Sequence, residues 1–180
     1  MHIRAPKAGT VAVFIAGLCA LPAAFGLLAL AGWLPSTAVD RPPSWEQSLG
    51  GHALNAALAR RARGLVNPIG PGDQTALLAG LKAYRFNCAG CHGGASDKSP
   101  WGSQDFYPRV PQFGSEPVEM TPEQAYAAIH DGVRYSGMAA WKGLLSDREM
   151  WELANFVSST GRLPPTVKAA WKRPLSKATP

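Results

Sequence analysis

The chain has 180 residues, enough for one ordinary domain with extensions, and a net charge of +6 on 17% charged and 46% hydrophobic residues. Residues 73–161 hold seven Lys/Arg against ten Asp/Glu, whereas residues 162–180 hold five Lys/Arg and no acid, and Arg60, Arg61 and Arg63 form a second basic cluster. The positive charge thus belongs to the flanks of a mildly acidic centre, which excludes nucleic acid as the partner and leaves solvent or an anionic membrane surface facing the bases.

Residues 10–34, "TVAVFIAGLCALPAAFGLLALAGWL", contain no charge and follow His2, Arg4 and Lys7. About 20 apolar residues cross a bilayer core, so residues 1–34 read as an N-terminal transmembrane anchor. The basic residues ahead of it favour a cytoplasmic N-terminus and an exported remainder. A cleaved signal is the competing reading. Ala29–Ala31 offers a small-x-small cleavage pattern, but the apolar run exceeds the usual length of a signal core. Under either reading the rest of the chain lies outside the cytoplasm, on the periplasmic side of a bacterial inner membrane or free in the periplasm. Cys19 reads as a small apolar residue of this segment.

Residues 35–72 read as a linker with a short helix. "PSTAVDRPPSWEQSLGG" is rich in Pro, Ser and Gly, and "HALNAALARRAR" at 52–63 places Leu54, Ala57, Leu58 and Ala62 on one face. The compact part spans 73–161. Its first helix starts at the N-cap Asp73 and carries Leu77, Leu78, Leu81 and Tyr84 at helical spacing. It runs straight into "CAGCH", Cys88 to His92. A long irregular run with Pro100, Pro108, Pro111 and Pro117 follows. Thr121, Pro122 and Gln124 then open a second helix with a capping box, and Gly132 stops it. Ser146 and Glu149 cap the last helix, where Met150, Leu153, Ala154 and Val157 share a face and Gly161 closes it. Residues 162–180 read as a basic, Pro-rich tail, largely extended, with Trp171 as a single anchoring contact. The pattern is all-α, with no strand and no internal repeat.

A domain with so much loop needs a staple or a prosthetic group, which makes Cys88, Cys91 and His92 the centre of the problem. Structural zinc takes four ligands, and no second CxxC or HxxxH pair accompanies these three. A thiol-redox CxxC belongs to a βαβ setting, whereas this one follows a helix. A buried, inert cysteine pair is the third alternative. Covalent haem explains more: CxxCH is the c-type attachment pattern, in which both thiols bond one haem edge and the adjacent imidazole reaches the iron.

From about residue 73 to 161 the chain resembles the single-haem class I cytochromes c. "GLKAY" (Gly80–Tyr84) is similar to the family's first-helix pattern, and "MWELANFV" to its last helix, with Phe156 at the aromatic position. The resemblance implies the class I cytochrome c fold, one haem c bound through Cys88 and Cys91, and His92 as one axial ligand. "GVRYSGMAAW" resembles the axial-methionine loop, with Ala139 in place of a frequent proline, and points to Met138 as the other. Met120, Met150, His52 and His130 compete less well, since each has an ordinary helical, capping or peripheral place. "VPQF" resembles the segment whose proline carbonyl holds the proximal histidine, so Pro111 is expected in that role ahead of Pro108 and Pro100. Tyr107, Arg109, Tyr135 and Trp141 are candidates for the haem surround. The implied function is electron transfer outside the cytoplasm by a tethered carrier, with redox proteins as donor and acceptor. A fixed subunit of a respiratory assembly, or a sensor or enzyme with an open iron, are the alternatives.

Overall fold

The computed structural model describes residues 8–70 and 72–173. The basic residues His2, Arg4 and Lys7, and positions 174–180 of the tail, lie outside the described residues. The chain divides into two compact units at Thr37 and Ala38.

The first unit holds one helix, α1 (Ala8–Leu30), uncharged, with its large apolar side chains exposed. Its 23 residues give a length of about 35 Å, which exceeds the hydrocarbon core of a bilayer. By length and composition it can cross a membrane, a property that a signal sequence near an N-terminus shares.

The second unit is all-helical, and the described residues form no strand. Helix α3 (Gln74–Asn87) begins where the Asp73 carboxylate accepts the amides of Thr75 and Ala76. It leads directly into a single turn, α4 (Ala89–His92). Helices α5 (Pro122–Asp131) and α6 (Asp147–Ser158) each open on a complete capping box, Thr121 with Gln124 and Ser146 with Glu149. Each box satisfies amides that a helix start leaves without partners. The two Ser146 hydrogen bonds also hold the Glu149 carboxyl below its usual range. The core gathers where α3 and α5 pack on α6. Tyr84, Met150, Leu153, Phe156 and Val167 are its largest wholly buried side chains.

The contact of α3 with α6 depends on Gly80. A Cβ at that position would lie 2.1 Å from the Glu152 carbonyl oxygen and 3.0 Å from the Phe156 Cβ. Without it, the two backbones approach closely enough for Tyr84 and Phe156 to meet, ring centroids 5.3 Å apart.

Three expectations change. The stretch read as a linker holds a longer helix, α2 (Ser44–Arg61), which starts eight residues before the expected one and packs on α5 through buried Leu58 and an Arg61–Asp131 ion pair of 3.0 Å. Gly and Ser at 48–51 obscured it, because they are weak helix formers that packing can override. The last regular turn of α6 is Ser158, and Gly161 lies inside a 3₁₀ turn, Thr160–Arg162, instead of closing the helix. The tail is not largely extended: Pro165–Trp171 form α7, with Leu163, Val167 and Trp171 buried. Trp171 meets Phe156 edge-on at 5.5 Å, and the Arg85 guanidinium donates to the carbonyls of Ala170 (2.7 Å) and Arg173 (2.9 Å) at the end of α7. A cation at a helix C-terminus satisfies carbonyls that have no helical partner. Trp171 anchors as expected; the helix around it escaped notice because Pro164 and Pro165 look like breakers, yet proline suits a first helical turn.

Gly80→Ala is expected to lower stability by about 1–3 kcal/mol in denaturant unfolding, since the added methyl must push α3 off α6. Trp171→Ala is expected to cost about 3–5 kcal/mol, a loss that an extended, undocked tail would not produce.

Candidate functional site

The Cys88–His92 segment occupies the junction of α3 and α4. Cys88 is at once the last cap of α3 and the start of α4, and its carbonyl accepts the amides of Cys91 (3.1 Å) and His92 (2.9 Å). This tight turn brings two free thiols and one imidazole to the same end of α3. Gly93 leaves the turn at φ +73, with no room for a Cβ beside the Asp97 carbonyl. The Tyr84 hydroxyl donates to the Gly93 carbonyl at 2.7 Å, which ties the turn back to the core. Burial of the Tyr84 ring pushes that hydroxyl far above its usual pKa, so it stays a donor.

His92 is held from two sides. Its Nδ1 donates to the Pro111 carbonyl at 2.9 Å, and its ring stacks on Phe113, centroids 4.4 Å apart and 12° between planes. With Nδ1 donating, the Nε2 lone pair is the ring's remaining donor, open to a metal. Burial depresses the imidazole pKa, which keeps it neutral, although the Pro111 bond opposes that shift. Of the three competing prolines, Pro111 makes this contact. Burial, with Cys91 beside it, pushes the Cys88 thiol up to about 12. A cysteine that acts in thiol-redox exchange requires the opposite, a readily formed thiolate. Among the described residues, no three His, Cys, Asp or Glu side chains come together as a metal site.

Met138 lies on the connection between α5 and α6, half-buried and packed against the core. Gly132 ends α5 at φ +68, and the loop folds back over it so closely that a Cβ there would meet the Met138 carbonyl oxygen at 2.8 Å. The Val133 amide donates to the Met138 carbonyl (3.0 Å), and the Met138 amide to the Ser136 hydroxyl (3.1 Å). Trp141 is half-buried beside the same core, and its amide donates to the Ile129 carbonyl at 3.0 Å. The other methionines and histidines stand elsewhere. Met150 is core, Met120 packs at its edge, His52 bonds the Ser48 carbonyl on the exposed side of α2, and His130 pairs with Asp131.

The remaining candidates are spread out. The Tyr107 hydroxyl donates to Glu46 of α2, and Arg109 donates to the carbonyls of Phe106 and Val39. Both therefore fasten the approach to α2 onto the loop. Tyr135 is 88% exposed, at φ 60. Sequence reasoning missed Gln112. Its buried side chain donates to the carbonyls of Cys91 (3.0 Å) and Val110 (2.9 Å) and accepts the Ser99 amide (2.7 Å), so it binds the cysteine turn to the loop. A glutamine between a proline and a phenylalanine carries no periodic signal, and only its burial identifies it. Phe113 was visible only as a letter of "VPQF", not as a ring under His92.

The donor set suits a covalently held haem: two free thiols on one turn, an imidazole with one nitrogen fixed by a carbonyl, and a thioether in an ordered loop. Residues 75–157 match the family model described as "Cytochrome C oxidase, cbb3-type, subunit III". This stretch is a class I c-type cytochrome domain. A domain of that family implies covalently bound haem c and electron transfer. The chain is also similar to a chain of the reducing HAO-like protein complex of Kuenenia stuttgartiensis, at 26% identity over 54% of this chain, with a TM-score of 0.41. The match covers 47% of that chain, so the present chain spans about half its length.

Replacing Gln112 by Leu, close in size, is expected to cost the cytochrome domain about 1–3 kcal/mol. The Ser99 amide and the Cys91 carbonyl would then be buried without partners. Unfolding of the haem-loaded domain checks it.

Proposed function

We propose that this protein is a membrane-tethered carrier with a single haem c, working on the periplasmic side of a bacterial inner membrane. Cys88 and Cys91 are assigned the two thioether bonds, and His92 Nε2 and the Met138 thioether the two axial positions. The observation that carries the reading is the Pro111–His92 hydrogen bond, because it orients the imidazole and leaves Nε2 as the ligand atom. When bound, the haem supplies an iron that changes oxidation state by one electron. The chain's part is to hold that iron in a fixed donor set. A neutral thioether favours the reduced form and raises the potential relative to a second imidazole. With both axial positions filled from the chain, no open position remains for a substrate. Gln112, Phe113 and Tyr84 keep the donor turn rigid, so little rearrangement accompanies each electron.

Under this reading α1 is the retained anchor. Membranes washed with alkaline carbonate should keep the protein, and its N-terminal sequence should begin at or near Met1. A mature N-terminus after Ala31 would replace the anchor with a cleaved signal. Met138→Ala should leave the haem attached, judged by the pyridine haemochrome, while lowering the reduction potential by on the order of 100 mV or more, within the wide span that ligand identity commands. An unchanged potential would remove Met138 from the iron.

A second reading, a fixed subunit of a respiratory assembly, gains support from α2. That helix is pinned to the cytochrome domain through Leu58, Arg61 and Glu46, yet it leaves Trp45 and Leu49 about two-thirds exposed. The matching family model also describes an oxidase subunit. Recovery of the protein in mild detergent decides between them: a stoichiometric membrane complex supports the subunit, and a lone cytochrome supports the carrier.

A further inference from the structure

The irregular run after the cysteine turn contains two aromatic residues that the haem assignment leaves unused. The Trp101 indole is about half exposed, so burial does not explain its place. Its Nε1 donates to the Gly90 carbonyl at 2.9 Å, and Gly90 stands between Cys88 and Cys91. The Ser99 hydroxyl donates to the same carbonyl at 2.6 Å. On its other side Trp101 meets Phe106, centroids 4.7 Å apart. Backbone hydrogen bonds from the amides of Gln104 and Asp105 to the Trp101 carbonyl fix the short chain between the two rings. The Phe106 ring in turn lies flush on Gly137, where a Cβ would come within 2.5 Å of Cε1 and 2.6 Å of Cδ1. Gly137 precedes Met138.

We propose that Trp101 and Phe106 are positioning residues, a two-ring bridge that holds the Met138 loop against the Cys88–His92 turn. This inference rests on the assignment of Met138 to the iron. The end of α5 restrains the loop through Gly132, Val133 and Ser136. The bridge restrains the other side and ties it to the segment that holds the haem edge. A Cβ at Gly137 would meet the Phe106 ring, so ring and loop backbone touch directly there. Loss of the bridge should let the thioether leave the iron more often while the covalent attachment, which involves neither ring, persists.

Exogenous imidazole measures this opening, because it occupies the ferric iron only when the thioether has left. Its apparent dissociation constant is the intrinsic one divided by the open fraction. Phe106→Ala and Trp101→Leu in the full-length holoprotein should each tighten imidazole binding about tenfold, the scale of one lost aromatic pair. They should also weaken the near-red iron–thioether absorption of the ferric form, with the pyridine haemochrome unchanged. Phe106→Tyr should restore both. Trp171→Phe, remote from the bridge, serves as a destabilised control. Wild-type imidazole affinity in both bridge variants overturns the proposal, as does equal tightening in the control at equal thermal destabilisation. If Phe106→Ala yields no holoprotein, Trp101→Phe and Phe106→Leu decide by the same criteria. If Met138→Ala leaves the spectrum and the imidazole affinity unchanged, the axial assignment itself fails, and the bridge with it.

Discussion

The crossing of α3 over α6 at Gly80 is the contact on which the rest of the cytochrome domain depends. A missing side chain lets the backbone of one helix rest on the Glu152 carbonyl of the other. The approach brings Tyr84 onto Phe156, which meets Trp171, while Tyr84 itself also meets Phe113. Phe113 stacks on His92. A row of rings thus runs from the C-terminal helix through the helix crossing to the donor imidazole. Because α3 leads through its cap residue Cys88 directly into α4, the position of α3 on α6 also sets where both thiols stand.

The loops are organised by the same core from its other end. The run from 93 to 120 has no regular structure of its own, and a loop of that length needs an external reason to be ordered. Gln112 and Ser99 supply it with hydrogen bonds to the carbonyls of Cys91 and Gly90, and Pro111 with its carbonyl to His92. The Met138 loop is ordered by its return over Gly132. The segments that carry His92 and Met138 are therefore both fastened through backbone carbonyls and amides, which tolerate no change of register. Such stiffness suits electron transfer, since groups already in place need not reorganise.

Much of this was legible in the residues. The capping boxes at Thr121 and Ser146 and the N-cap at Asp73 mark three helix starts because the chemistry that satisfies their first amides is local. "CAGCH" is legible for the same reason, with all its donors inside one turn. "VPQF" singled out Pro111, whose carbonyl accepts from His92. Helices α2 and α7 were misjudged because Gly50, Gly51 and the prolines at 164 and 165 argue against a helix until a packing partner is known. Their stability comes from Leu58 on α5, and from Trp171 and Arg85 across the fold.

The sequence by itself determined that the chain begins with a segment apolar enough for a membrane, that its central part is helical, and that two thiols and an imidazole share one turn. Each of these is written in neighbouring residues. The tertiary structure alone decided that Gln112 holds the cysteine turn, that Phe113 lies under His92, that Phe106 seats on Gly137, and that helices α2 and α7 pack on the domain. Those pairings join residues about 20 to 90 positions apart. Helical periodicity and turn chemistry act over only a few residues, so such pairings become fixed only when the helices pack and their backbones meet.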